Sequence, residues 1–367
     1  MTFTLLSLHL RLGYCLALTP SPSEVKATTW RRKLYVLFLS SFISTGAILY
    51  IIKNNFYRQF LLVKMVVCLL RDISLWSLSC YGMLVLGIGK QSLWLDLTDN
   101  LKKTKYLVQV KNSKTEKIKE LAAFAVVNLL QILMTSYIQY AWYQIGGVAE
   151  FLQHEVVCFE IFFKYFYKYL LYVIICMLLV RYRGLKLLLE TCLKEHHESG
   201  CPQGQVPTSL LRNVQYALSL LHKTVNIFND MFGWPMLLII VYTTLEVLNN
   251  IDYIIFYGKQ TEYFKILVSD GIIVFWSFIS TAILILLCHA VNQEISKIAS
   301  LTCDIRLLLS AHVNVQHSDL VELTHFALNT SPKFTAAEFF FIERSTILSI
   351  LGTVTTFLIV MVQFAQK

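Results

Sequence analysis

Five polar residues recur on one stripe of a long apolar run: Tyr242, Glu246, Asn249, Asn250 and Tyr253. They fall at i, i+4, i+7, i+8 and i+11, so a helix places them on one face. A carboxylate at membrane depth costs about 2.5–3.5 kcal/mol on insertion scales, so it faces a cavity or a partner. A second run carries Gln131, Thr135, Gln139 and Trp142 on a similar stripe, and a third carries Trp276, Ser277 and Ser280. Aromatic rings, amides, hydroxyls and one carboxylate can bind a sugar by stacking and hydrogen bonding, or an amine by charge and cation–π contact. The same groups can instead hydrogen-bond between helices and hold a bundle together. Residue type and spacing leave both uses open.

Other chemistry is not supported. No nucleophile–base constellation is visible, so an enzyme is not expected. Cys192, His196, His197 and Cys201 lie close together, but their spacing fits no common zinc pattern, and no metal is expected. Gly87-Ile88-Gly89 lacks the rest of any phosphate-binding motif, and no cofactor is expected.

These stripes need long apolar elements to carry them. The chain has 367 residues, 56% hydrophobic and only 15% charged, with a mean hydropathy of +0.58. Soluble domains carry about 25% charge, and one soluble core of this size could not hide so much apolar surface. Six prolines and 14 glycines leave room for long helices. The predicted fold is an all-α membrane protein, a single transmembrane unit over residues 1–367. A span needs roughly 20 mostly apolar residues. Seven are predicted, at about 34–52, 73–89, 121–142, 165–180, 232–256, 271–290 and 345–364. Arg71-Asp72 marks the outer start of the second, where the pair either anchors at the interface or edges a pocket. Residues 1–18 are apolar, but Arg11 interrupts them, and no basic leader or cleavage site is present. They read as a retained segment lying on the membrane surface.

Lys and Arg counts set the orientation. With the N-terminus in the cytosol, segments 1–33, 90–120, 181–231 and 291–344 hold 23 of the 32 basic residues. The opposite side holds seven, Lys164 among them. The prediction is therefore N-terminus cytosolic and C-terminus extracellular. The formal charge of +9 then reflects orientation in the bilayer and not a nucleic-acid partner. Long cytosolic segments carry apolar faces at helical spacing, such as Leu210, Leu211, Val214, Ala217 and Leu218, and are expected to extend helices beneath the membrane. The nine cysteines give no disulfide framework: most lie in spans or cytosolic segments, and Cys158 stands in an external loop without an evident partner. The sequon Asn329-Thr330-Ser331 falls on the cytosolic side and is read as silent.

This inverted topology opposes a G-protein-coupled receptor. The third helix also ends near Trp142-Tyr143 without an acidic-Arg-aromatic triplet, and the last has no Asn-Pro-x-x-Tyr. A transporter would show paired halves or helices broken by Gly and Pro; Pro235 alone lies inside or near a span.

The final residues are the most specific. Thr356-Phe357, five apolar residues, then Gln363-Phe364 stand three residues from the C-terminus, preceded upstream by Phe334-Thr335-Ala336-Ala337-Glu338-Phe339-Phe340. This resembles the signature of the insect gustatory receptor family, with Phe357 where a Tyr is usual and Glu338 where a small residue is common. Asn226 through Phe232 to Leu237 is a looser match. The resemblance implies a ligand-gated, non-selective cation channel in a sensory-neuron plasma membrane, on dendrites, with axon and cell body as the further places it allows. It implies a homo- or heterotetramer in which four seventh helices line one pore. It also implies a pocket between helices two to six, open to the outside, for a small-molecule tastant (a sugar or a bitter compound). The alternatives are an odorant-receptor-like channel subunit or a metabotropic seven-span receptor.

The residues agree with a pore helix. Thr353, Thr356, Val360, Gln363 and Phe364 recur at three- and four-residue steps and share a face. Such a lining carries no fixed charge, which suits a poorly selective cation path closed by a dewetting constriction. By position, the resemblance makes Gln363 and Phe364 the gate. A Gln363 that merely caps the helix or bonds a neighbour is the alternative.

Overall fold

A computed structural model describes residues 3–20, 29–53, 62–108, 114–198, 208–257, 264–312 and 318–365. The described elements are α1 (Phe3–Cys15), α2 (Trp30–Lys53), α3 (Leu62–Cys80) continuing as a π-helical stretch (Tyr81–Gly89), α4 (Gln91–Leu107) and α5 (Lys114–Glu198). They continue with α6 (Thr208–Tyr257), α7 (Phe264–His312), α8 (Ser318–Asn329), β1 (Thr335–Ala336), β2 (Phe340–Phe341) and α9 (Arg344–Ala365). Six stretches are long and apolar enough to cross a membrane: Trp30–Ile52, Lys64–Gly89, Ile118–Tyr137, Glu155–Thr191, Leu211–Ile251 and Asp270–Leu307. Arg344–Val360 in α9 is a seventh, shorter apolar stretch. The protein is an all-α membrane fold.

α5 holds two spans, because it breaks at Gly147, where φ is 68° and ψ −157°. Only glycine adopts that backbone without strain. The arm after the break is the centre of the molecule. From Phe163 to Leu189 its side chains are mostly buried, packed by α1, α2, α3, α6 and α7. The arm before the break carries no buried residue from Ile118 to Tyr137.

Several boundaries differ from expectation. The second span starts earlier than residue 73, because Lys64, buried in α3, does not end the helix. Its last nine residues are π-helical, with the Lys90 amide donating to the Val85 carbonyl at 2.8 Å, a five-residue step. The 90–120 segment contains α4, whose Trp94, Leu97 and Leu101 are buried against α6 and the core. The spans after Gly147 run on as helices beyond the hydrocarbon length, as the apolar faces predict. Cys158 is not in a loop but buried within α5. Residues 3–18 do not stand apart from the spans: one face of α1 packs on the bundle. Leu5, Leu6 and Leu10 of α1 and Leu18 after it are buried, the Tyr167 hydroxyl donates to the Leu18 carbonyl at 3.1 Å, and His9 stacks on Phe166 at 4.1 Å.

Pro235 lies inside α6. It has no amide hydrogen, so the Met231 carbonyl four residues back loses its helical donor. The Tyr81 hydroxyl replaces that donor at 3.4 Å, and Lys90 caps the adjacent Asp230 carbonyl. The π-helical end of α3 is thereby tied to the proline site.

The β1–β2 hairpin delivers the chain into α9. Ala337 and Glu338 turn it with φ of 50° and 63°, and its Phe334 side is held to α6. The Asn229 amide donates to the Lys333 carbonyl at 2.8 Å and accepts from the Thr335 amide at 3.2 Å. A Cβ on Gly233 would come within 2.9 Å of the Ala337 nitrogen, so this close approach requires glycine.

Candidate functional site

Glu246 is buried, 6% exposed, on α6. Its partner is Lys164 of α5, 0% exposed, with Nζ 3.3 Å from both carboxylate oxygens. The Tyr242 hydroxyl donates to Glu246 Oε1 at 3.1 Å, and the Tyr242 ring lies 4.1 Å from the ammonium. Lys164 also donates to Ser277 Oγ of α7 at 3.2 Å. One turn further along, Lys168 donates to the Ser277 carbonyl at 2.9 Å and to Ser277 Oγ and Ser280 Oγ at 3.2 Å each. Tyr165 faces both ammonium groups, at 4.6 and 5.4 Å from its ring. Three spans thus meet in one buried polar cluster. Burying two charges withdraws several kcal/mol of hydration from each, which an ion pair offsets only when its remaining bonds are filled. Here hydroxyls, a carbonyl and two aromatic faces fill them.

The expected face of α6 is largely present. Tyr242, Glu246, Asn249 and Asn250 are all buried. Asn249 Oδ1 accepts from Cys68 Sγ of α3 at 3.0 Å. Beside it, Arg71 and Asp72 pair at 2.8 Å with Asp72 buried, so the carboxylate turns into the bundle. Tyr253 lies outside the described side chains. From α7, Ser280 joins the cluster, whereas Trp276 is exposed.

The stripe on the arm of α5 before Gly147 does not join it. Thr135 donates to the Gln131 carbonyl in its own helix. Gln131 Nε2 is buried with no hydrogen-bond partner among the described residues, and Gln139 donates to Glu155 across the break. The side chains of Trp142, Cys192, His196 and His197 lie outside the described side chains, and Cys201 lies outside the described residues. Lys164 and Lys168 were not expected in the site, since Lys164 reads as an external loop residue. The usable signal was the four-residue step Glu160, Lys164, Lys168, a charged stripe on one helical face.

In α9, Thr353, Thr356, Val360 and Gln363 are exposed and Phe357 half-buried. The hydroxyls of Thr353 and Thr356 bond back to the carbonyls of Ser349 and Gly352, each at 2.9 Å. The opposite side is exposed too, with Leu348 at 68% and Ile359 at 51%. Among the described side chains of α9, only one edge is buried, through Thr346 and Ile350, where it meets α6 and α7. The Phe364 side chain lies outside the described residues.

The fold matches solved receptors. The insect olfactory receptor OR5 from Machilis hrabei superposes with a TM-score of 0.63 at 15% identity, over 98% of this chain and 97% of that one. The same receptor in complex with eugenol gives 0.61 at 14% identity, over 98% and 99%. Among curated proteins, no sequence matches. A profile described as 7tm chemosensory receptor matches residues 6–367, so the chain belongs to the 7tm chemosensory receptor family.

Proposed function

We propose that this chain is a gustatory receptor subunit, a ligand-gated, non-selective cation channel opened by a small tastant in a sensory-neuron plasma membrane. The observation that carries this reading is α9, a membrane helix exposed on nearly every side with a stripe of Thr353, Thr356, Val360 and Gln363. Lipid satisfies the apolar side and the threonine hydroxyls are satisfied within the helix, but the exposed Gln363 amide calls for water or a like surface. Four such helices, in a homo- or heterotetramer, give both: an apolar outside and a weakly polar conduit. Gln363 and Phe364 then form the gate at the outer end, with the N-terminus in the cytosol and the C-terminus outside.

The buried cluster of α5, α6 and α7 supports a ligand pocket beside Tyr242, Glu246, Asn249, Asn250 and Ser280. OR5 was solved in complex with eugenol, a small molecule, and a receptor of this fold is suited to one of similar size. The Thr356-Phe357 and Gln363-Phe364 ending favours the gustatory over the odorant branch. Agonist-evoked current in excised membrane patches without GTP is the test. A current supports the channel; a response that needs intact cells and G-protein signalling replaces it with the metabotropic reading.

A further inference from the structure

The first turn of α2 carries three cations in a row, Arg31, Arg32 and Lys33, and no acid. A helix N-terminus is itself a positive pole, so cations there are repelled and an anion is favoured. Arg32 turns inward, 8% exposed. Its Nη2 donates to the Tyr14 carbonyl at 2.5 Å and to the Thr19 carbonyl at 3.4 Å. Its guanidinium lies 4.1 Å from the Tyr14 ring and 5.3 Å from the Tyr35 ring. The Tyr35 hydroxyl donates to the Cys15 carbonyl at 2.9 Å, which completes the clasp of α1 on α2. Carbonyls and rings orient the guanidinium without cancelling its charge, and neither α1 nor α2 contains an acid. Arg32 Nε is buried with no hydrogen-bond partner among the described residues. Arg31 and Lys33 are exposed, as is Arg11, three residues before Tyr14 on α1. Where α1 ends and α2 begins, the chain therefore gathers four cations and a helix pole around a seam that lacks an anion.

We infer that the outward face of α1 and the first turn of α2 bind the anionic headgroup of a membrane phospholipid. The site lies apart from the ligand pocket and takes from the proposed function only a cytosolic N-terminus, since the cytosolic leaflet carries the anionic lipid. A headgroup phosphodiester and carboxylate supply acceptors for Arg31 and Lys33 and the negative charge that Arg32 and the helix pole lack. The apolar part of the lipid is matched as well. Leu8 and Leu12, one turn apart on α1, are exposed on the side away from the bundle, and Trp30 is exposed at the start of α2. Leucines beside a basic residue on an amphipathic helix bury at the boundary of headgroup and acyl chain, and Trp settles at the same level. Inorganic phosphate would meet only the charges. A general excess of Lys and Arg on the cytosolic side accounts for exposed cations, but not for a guanidinium buried between two helices that hold no acid.

Thermal unfolding of the purified full chain in dodecylmaltoside tests this without gating, because a ligand that binds only the folded state raises the midpoint. The probes are dioctanoyl phosphatidylserine, dioctanoyl phosphatidylcholine (the same chains with no net charge) and sodium phosphate at matched ionic strength. The expected result is a saturable rise with the serine lipid that neither the choline lipid nor inorganic phosphate reproduces. Arg31→Gln combined with Lys33→Gln, both at exposed positions and so unlikely to disturb folding, should weaken the apparent Kd for the serine lipid by about tenfold or more. Lys102→Gln combined with Lys119→Gln removes two exposed charges from another cytosolic segment and should leave that Kd unchanged. Equal effects of the serine and choline lipids on the wild type overturn the inference without recourse to any variant. A phosphate response matching that of the serine lipid also overturns it, since it would mark a site for free anions. So does equal weakening by both double variants, which would reduce the site to the general attraction of a basic face. An Arg31→Gln, Lys33→Gln protein that binds the serine lipid as the wild type does would likewise remove the first turn of α2 from any such site.

Discussion

Lys164 and Glu246, 82 residues apart in the chain, meet with the ammonium 3.3 Å from each carboxylate oxygen. The pair ties the fourth span to the fifth, and Ser277 ties both to the sixth. Removing one partner of a buried pair costs about 3–5 kcal/mol, because the other charge is left uncompensated. Lys164→Met should therefore destabilise the purified protein by about that much. Lys164→Met combined with Glu246→Leu should recover most of it, since a well-packed apolar replacement is often neutral. Unfolding midpoints of the two single variants and the double variant check this, and additive losses would refute the coupling.

Much of this was legible in advance, and the failures have physical reasons. Lipid demands about 20 apolar residues per span, so the spans announced themselves. The Tyr242 to Asn250 face was legible because helical spacing alone puts those residues together. Lys164 was not, because a lysine between Phe163 and Tyr165 reads as the end of a span until its distant carboxylate is known. α1 was unreadable as a docked element, since the rings that match its apolar face stand on α5, more than a hundred residues away. The hairpin at Thr335–Phe341 is two residues per strand and turns through left-handed Ala337 and Glu338, positions where sequence would favour glycine.

His9 gives a pH dependence. Its Nε2 lies 3.1 Å from the Phe166 carbonyl, to which the tautomer protonated there donates. Burial holds the imidazole neutral and pushes its pKa down from 6.5 to about 4, the carbonyl bond offsetting part of this. The contribution of the docked α1 is thus fully present above about pH 6.5 and is lost as pH falls through about 4, with roughly 3 kcal/mol at stake. Unfolding midpoints between pH 7 and 4 should fall more steeply for the wild type than for His9→Gln. Parallel curves would place His9 outside the linkage.

Gly147 should tolerate no side chain. Nothing stands within 4 Å of a Cβ there, so any loss comes from φ of 68° alone. Gly147→Ala should cost about 1–3 kcal/mol. A Gly147→Ala protein as stable as the wild type would mean that the two arms of α5 join by a different backbone.

The clasp of α6 on the hairpin should affect gating. Asn229 both donates to Lys333 and accepts from Thr335 at the entry to α9. Asn229→Leu leaves both backbone groups unpaired and should shift agonist potency by about tenfold, the effect of roughly 1.4 kcal/mol, while sodium-to-potassium permeability stays unchanged. Dose–response curves with reversal potentials separate the two. A changed permeability ratio with unmoved potency would put the hairpin in the ion path.

The central claim is that one stripe of α9 faces the conduit. Cysteines introduced singly along α9, in a background free of reactive native cysteines, and tested with an external charged thiol reagent during agonist-evoked current, measure it most directly. The account predicts that reagent alters current at Thr353→Cys, Thr356→Cys and Val360→Cys and leaves it unchanged at Leu348→Cys, Leu351→Cys and Ile359→Cys. Modification at the second set and none at the first, or current insensitive at all six, would contradict it.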